Sequence, residues 1–158
     1  MSAADAIQSI PVSMSRLTGR VLASLSTATR DELCEHAADG SSRLRATLET
    51  LFVNRFGGHH AGFERLRFLF FVAPQVRRLV IASASSNRRV RGTDVTFADV
   101  KAWLAWLDTM DPLCARMIDL RYFAGVSVKE TAHLLDLRPD AVVRELRFAR
   151  AWLNIKVG

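Results

Sequence analysis

The sequence predicts an all-α fold made of two small helical domains joined by a polar linker. Three observations lead there. Apolar residues recur at three- and four-residue intervals along most of the chain, which gathers them on one side of a helix. The two-residue alternation of a half-buried strand is missing. Helix punctuation stands at the edges of the periodic stretches: Thr96, Asp111 and Ser127 before them, Gly57-Gly58 and Gly125 after them.

Composition narrows the function classes. The chain has 158 residues, 49% of them hydrophobic, enough for a buried core. Its densest apolar run, Phe68 to Ala73, ends at Pro74, far short of the roughly 20 residues that cross a bilayer. Met1-Ser2-Ala3-Ala4-Asp5 opens without a basic or a long apolar stretch, so a cytoplasmic chain with no membrane contact is expected. Cys34 and Cys114 are too few and too distant for a disulfide framework or a paired-cysteine metal site, and both are expected as reduced thiols. His59-His60 lacks further ligands nearby and reads as a surface loop. With no Gly-rich phosphate loop, no HExxH and no nucleophile constellation, neither catalysis nor a cofactor or metal is expected. The formal charge is +6, and all but Lys101, Lys129 and Lys156 of the 22 basic residues are arginines. The planar fork of arginine donates two hydrogen bonds at once, which suits phosphate and guanine.

The elements follow in order. Ile7, Ile10, Met14, Leu17 and Val21 share one helix face despite Pro11. Ser26 to Arg30 reads as a break before a short helix ending near Ala38, and Asp39-Gly40-Ser41-Ser42 as a loop. Arg43 to Phe56 is amphipathic through Leu44, Leu48, Leu51, Phe52 and Phe56. A helix from about Gly62 to Ala84 is apolar on most sides between Leu66 and Phe71, and Pro74 is expected to kink or divide it. These elements make a first domain over residues 1–84. Residues 85–96, with Arg88, Arg89 and Arg91, are the linker. The second domain, residues 97–158, begins with a helix over Ala98 to Thr109 that turns Val100, Trp103, Leu104 and Leu107 inward. Thr96 is its N-cap and Asp99 lies in its first turn. Asp111-Pro112 opens the next helix, with Leu113, Met117, Leu120 and Phe123 in helical register, and Gly125 closes it.

The end of the chain carries the functional signal. Ser127 and Glu130 form a capping box at the start of a short helix. Arg138-Pro139-Asp140 makes a tight turn, and a second helix from Ala141 to Ile155 turns Val142, Leu146, Ala149 and Leu153 inward. Ala132 is a small residue where the two helices cross. This is a helix-turn-helix, whose second helix enters the major groove of DNA. Arg144, Arg147 and Arg150 lie on its outer side. Arg138, Asp140 and Arg144, near the helix start, are placed to reach base edges, and Arg147 and Arg150 to meet phosphates.

Leu113 to Leu137, with Leu-Arg-Tyr-Phe at 120–123 and Val-Lys-Glu-Thr-Ala at 128–132, resembles region 4 of extracytoplasmic-function (ECF) sigma factors. Val143 to Leu153 resembles the ending of one large subgroup. The resemblance implies that the last helix binds the −35 promoter element through Arg138, Asp140, Arg144 and Arg147. The family usually has glycine where Asp136 stands and a serine cap where Arg138 stands. Phe63 to Ala82 is similar to the region 2 helix that opens the −10 element, and Arg77 and Arg78 match its Arg-Arg pair. Ala82, Ser83, Ser85 and Ser86 then replace the usual Asp, His and Arg residues. Phe68, Phe70 and Phe71 read as core.

Partners are implied the same way: promoter DNA, core RNA polymerase through its β′ and β subunits, and an anti-sigma factor, with the chain a monomer. In the family an acidic helix face docks on β′. The equivalent helix here carries Glu49 alone against Arg43, Arg45 and Arg55. Thr47 and Thr50 flank Glu49, and a phosphate placed there by a Ser/Thr kinase would add about −1.5 to −2 charge. Two readings stand for this pair: phosphorylation that switches on polymerase binding, or ordinary helix threonines. Two other readings compete with an initiation factor: a degenerate sigma-like adaptor that binds proteins without opening promoters, and a stand-alone helix-turn-helix regulator.

Overall fold

The computed structural model describes residues 20, 26–39, 42–56, 62–83, 89 and 94–157. The apolar stripe of Ile7 to Val21, the loop with His59 and His60, and Arg88 and Arg91 lie outside them. The described residues form α1 (Thr27–Asp39), α2 (Ser42–Phe56), α3 (Gly62–Ser83), α4 (Phe97–Met110), α5 (Pro112–Ile118), a π-helical turn (Asp119–Phe123), α6 (Val128–Leu135) and α7 (Pro139–Val157). No strand occurs among them; one isolated antiparallel bridge joins Arg89 to Thr96. The fold is all-α, as its periodicity requires. No helix among the described residues is long and apolar enough to cross a membrane.

One expectation in the N-terminal half is corrected and one is narrowed. Ser26 to Arg30 is not a break but the first turn of α1. The Thr29 N–H donates to the Ser26 hydroxyl at 3.3 Å and the Arg30 N–H to the Ser26 carbonyl at 3.1 Å, so Ser26 is an N-cap. Pro74 does not divide its helix; α3 runs through it as one element. Proline has no N–H, so the carbonyl four residues back, that of Phe70, loses its helical donor. Arg116 supplies one, its Nη1 donating to Phe70 O at 3.3 Å while its guanidinium lies 4.4 Å from the centre of the Phe70 ring. The donor comes from α5, on the far side of the linker.

Two apolar clusters hold the helices. In the first, α3 buries Phe68, Leu69, Val72 and Val76 against Leu33 of α1 and Leu44, Leu48 and Phe52 of α2. Phe52 and Phe68 meet with ring centres 5.2 Å apart. Each such side chain contributes about 1.5–3 kcal/mol on burial. Leu120, Ala124, Val126 and Leu134 belong to this same cluster. The α3 helix thus packs directly on the C-terminal half.

The second cluster joins Leu104 and Leu107 of α4, Met117 and Ile118 of α5, Ala132 of α6, and Val142, Leu146 and Ala149 of α7. Leu113 is not part of it. It is 46% exposed, because Cys114, Met117 and Ile118 take the inner side of that helix. Trp106 of α4 and Trp152 of α7 stack face to face, 4.2 Å between centres, and brace the far end of α7. Both cysteines are free, and burial pushes the Cys114 thiol up to about 11.

A double-mutant cycle tests the repair of α3. Arg116→Ala should destabilise by about 1–3 kcal/mol by leaving the Phe70 carbonyl without a donor. In a Pro74→Ala background, where residue 74 can donate instead, the same change should cost measurably less in urea unfolding. Equal costs in both backgrounds would show that Arg116 acts by another route.

Candidate nucleic-acid interface

Local chemistry builds the C-terminal module step by step. Thr96 and Asp99 cap α4 with the reciprocal bonds of a capping box. The side chain of Asp111 accepts from the Cys114 N–H at 3.0 Å, and Pro112 fills the position of α5 that needs no donor. The helix then widens into the π turn and stops at Gly125, whose φ of 67° suits a residue without Cβ. Arg121 clasps this corner by donating to the Val126 carbonyl.

Ser127 and Glu130 cap α6 as expected. The Glu130 N–H donates to the serine hydroxyl at 3.2 Å and the Ser127 N–H to the Glu130 carboxylate at 3.0 Å. The α6 helix ends in a Schellman motif: the Leu137 N–H donates to Ala132 O at 2.8 Å and the Asp136 N–H to His133 O at 3.4 Å. That motif needs a left-handed residue, and Asp136 occupies it at φ 55°, ψ 47°. The glycine usual at this place would do so without steric cost. The turn then aims α7 across α6, with Ala132 buried at the crossing.

The outer side of α7 is open and basic. Arg138, Asp140, Arg144, Arg147 and Arg150 are all exposed. Arg138 donates to Asp140 at 3.1 Å, and Arg144 lies 3.5 Å from Glu145. These are solvent-exposed pairs of small energy that a phosphate or base can displace. The Arg150 guanidinium lies 5.2 Å from the centre of the Tyr122 ring, which holds it toward the module's body. Lys129 and His133 of α6 are exposed as well.

The other expected site residues lie elsewhere. Arg77 is a correction. It is buried, 8% exposed, and paired with Asp108 at 2.9 Å and Asp119 at 3.3 Å, so it presents no fork to a nucleic acid in this arrangement. Its neighbour Arg78 is exposed. On α2, Glu49 is engaged by Arg45 at 3.1 Å. The Thr47 and Thr50 hydroxyls donate back to Arg43 O and Ala46 O, at 3.0 and 2.9 Å. No group of three or more metal-binding side chains occurs among the described residues.

Sequence reasoning missed three contributors. Arg45 forks onto both oxygens of Glu130, one at 2.7 Å, and its hydrogen bonds hold that carboxylate down at about 2. Asp119 lies in the π turn, where burial pushes its carboxyl up to about 6 against the pull of Arg77 and Arg116. Arg116 completes the group, its own pKa lowered by burial. The pairing of Arg45 with Glu130 spans 85 residues, and nothing local announces it.

A family model described as ECF sigma factor matches residues 74–157, slightly more than half of the chain. No curated protein and no solved structure matches it. The match begins at Pro74 within α3 and runs to the end of α7.

Two measurements check this geometry. Asp136→Gly should raise stability by about 1 kcal/mol by removing the left-handed penalty, a rise in melting temperature of about 2–4 °C. Acid titration should give opposite signs at Asp119 and Glu130. Asp119 binds its proton more tightly folded than unfolded, so its contribution grows as pH falls from about 6 toward 3.8. Glu130 does the reverse, and its contribution is lost as pH falls from 4.5 toward about 2. Asp119→Asn should abolish the first change in melting temperature and Glu130→Gln the second.

Proposed function

Because the chain belongs to the ECF sigma factor family, we propose that it is a transcription initiation factor that binds core RNA polymerase and reads the −35 promoter element through α7. The observation that carries this reading is the open basic side of α7, with Arg144 and Arg147 exposed on the second helix of a capped helix-turn-helix.

The proposed division of labour follows from position. Arg138, Asp140 and Arg144 surround the start of α7, which is the end that enters the major groove. Arginine there can fork onto guanine O6 and N7, and Asp140 can accept from cytosine N4. Arg147 and Arg150 lie further along and meet phosphates, Arg150 already braced by Tyr122. Polymerase contact falls to apolar side chains that the core leaves uncovered. Leu113 lines a groove with Leu137 and Ala141 beside the start of α7, and Met110 and Phe148 are 63% and 65% exposed.

Electrophoretic binding separates the two roles. If Arg144 reads a base, Arg144→Ala loses about 1–3 kcal/mol and relaxes preference at one position. If Arg147 meets a phosphate, Arg147→Ala weakens all sequences alike and lowers the salt slope by about one. Run-off transcription with purified core polymerase tests the whole reading. Promoter-dependent transcripts are expected. Polymerase binding without transcripts would favour an adaptor, and DNA binding without polymerase binding a stand-alone regulator.

A further inference from the structure

The arginines of α7 and its turn are held in two different ways. Arg138 donates to Asp140 and Arg144 lies beside Glu145, so each gives part of its charge to a nearby carboxylate. Arg150 is held by a neutral group. Its guanidinium lies over the Tyr122 ring, 5.2 Å from the centre, and among the described residues no carboxylate stands within ion-pair distance of it. A ring attracts the cation through its electron-rich face and takes up none of its N–H donors. Arg150 is exposed, and it keeps its whole charge and its fork for a partner.

We infer that Tyr122 is a positioning residue for DNA binding, its ring holding Arg150 in the pose from which the guanidinium meets a backbone phosphate. The inference rests on the function proposed above, which assigns Arg150 to a phosphate. The π turn is what directs the ring. Such a turn closes over one residue more than an α-helical turn, which shifts the facing of the side chains it carries. Leu120 enters the first apolar cluster, Arg121 reaches the Val126 carbonyl, and Tyr122 packs against the second cluster, beside α7. The ring is half-buried in that packing and so fixed in place. An arginine free in water loses rotamer freedom when it reaches a phosphate, and one already held over a fixed ring loses less. The gain falls on affinity and not on sequence choice, because a phosphate carries no base information. Among the described residues Arg147, also exposed on α7, lies over no ring, and it serves as the comparison.

Fluorescence anisotropy of the full chain with a labelled duplex of mixed sequence, about 30 base pairs long, reads the phosphate contacts at low salt. Tyr122→Leu keeps the bulk and loses the ring. It should weaken binding about two- to fivefold, the scale of an exposed cation–π contact. Tyr122→Phe keeps the ring and should bind as the wild type does. Arg150→Ala should weaken binding to all sequences and lower the salt slope by about one. In the Arg150→Ala background Tyr122→Leu should cost nothing further, and in an Arg147→Ala background its full cost should remain. An equal cost of Tyr122→Leu with and without Arg150 would show a merely structural role and overturn the inference, as would no cost in the otherwise wild-type chain. If Tyr122→Leu loses helical circular dichroism, Tyr122→Met, flexible enough to fill the space without a ring, decides by the same cycle. A wild type that binds the duplex neither alone nor with core polymerase would defeat the function proposed above and the inference with it. An Arg150→Ala chain of unchanged affinity and slope would remove the phosphate role of Arg150, and with it the inference, while leaving the rest of that function standing.

Discussion

Glu130 holds two parts of this fold in register with one carboxylate. It closes the capping box that starts α6, and it receives the Arg45 fork from α2. The cap sets where the supporting helix begins, and through Ala132 and the left-handed Asp136 that start determines the direction of α7. The fork ties the same point to the N-terminal helices. Charge-assisted hydrogen bonds on both sides keep the carboxylate ionised far below neutrality. The orientation of α7 and the docking of the two halves therefore share one group.

A second constraint runs through α3. Proline inside a helix leaves a carbonyl four residues back without a partner, and a buried carbonyl without a donor is unfavourable. The fold answers with Arg116, which brings a positive charge into the seam beside Arg77. Asp119 balances them from the π turn, at the expense of its own ionisation. One backbone defect thus accounts for much of the charge in the seam. Apolar packing by Leu120, Val126 and Leu134 surrounds it.

The chemistry of α7 is divided around its axis. Val142, Leu146 and Ala149 are buried, and Arg144 and Arg147 are open to solvent. Trp152, stacked on Trp106, and exposed Phe148 form an aromatic flank. Membership of the ECF sigma factor family gives this partition a purpose, since such a factor meets both a nucleic acid and a protein. Tyr122 marks the boundary by holding Arg150 at the edge of the basic side.

Local rules made most of the elements legible. Thr96 with Asp99, Asp111 with Pro112, and Ser127 with Glu130 are signals within four residues, and each marks a helix start where the structure has one. The outward arginines of α7 followed from its helical period in the same way. Ser26 was misread because a cap and a break begin with the same polar residue. Arg77 was misplaced because a sequence motif carries no information on which acidic groups will face it. By itself, the sequence determined the all-α class, the two closing helices joined by a short turn, and the basic outer side of the last one, all products of spacing along one chain. Tertiary structure alone decided that Pro74 would be bridged, that Arg77 would be buried, and that Arg45 would meet Glu130. Those outcomes depend on which distant groups share a seam of low dielectric, where an unpaired charge or carbonyl is costly and a partner must come from wherever the packing places one.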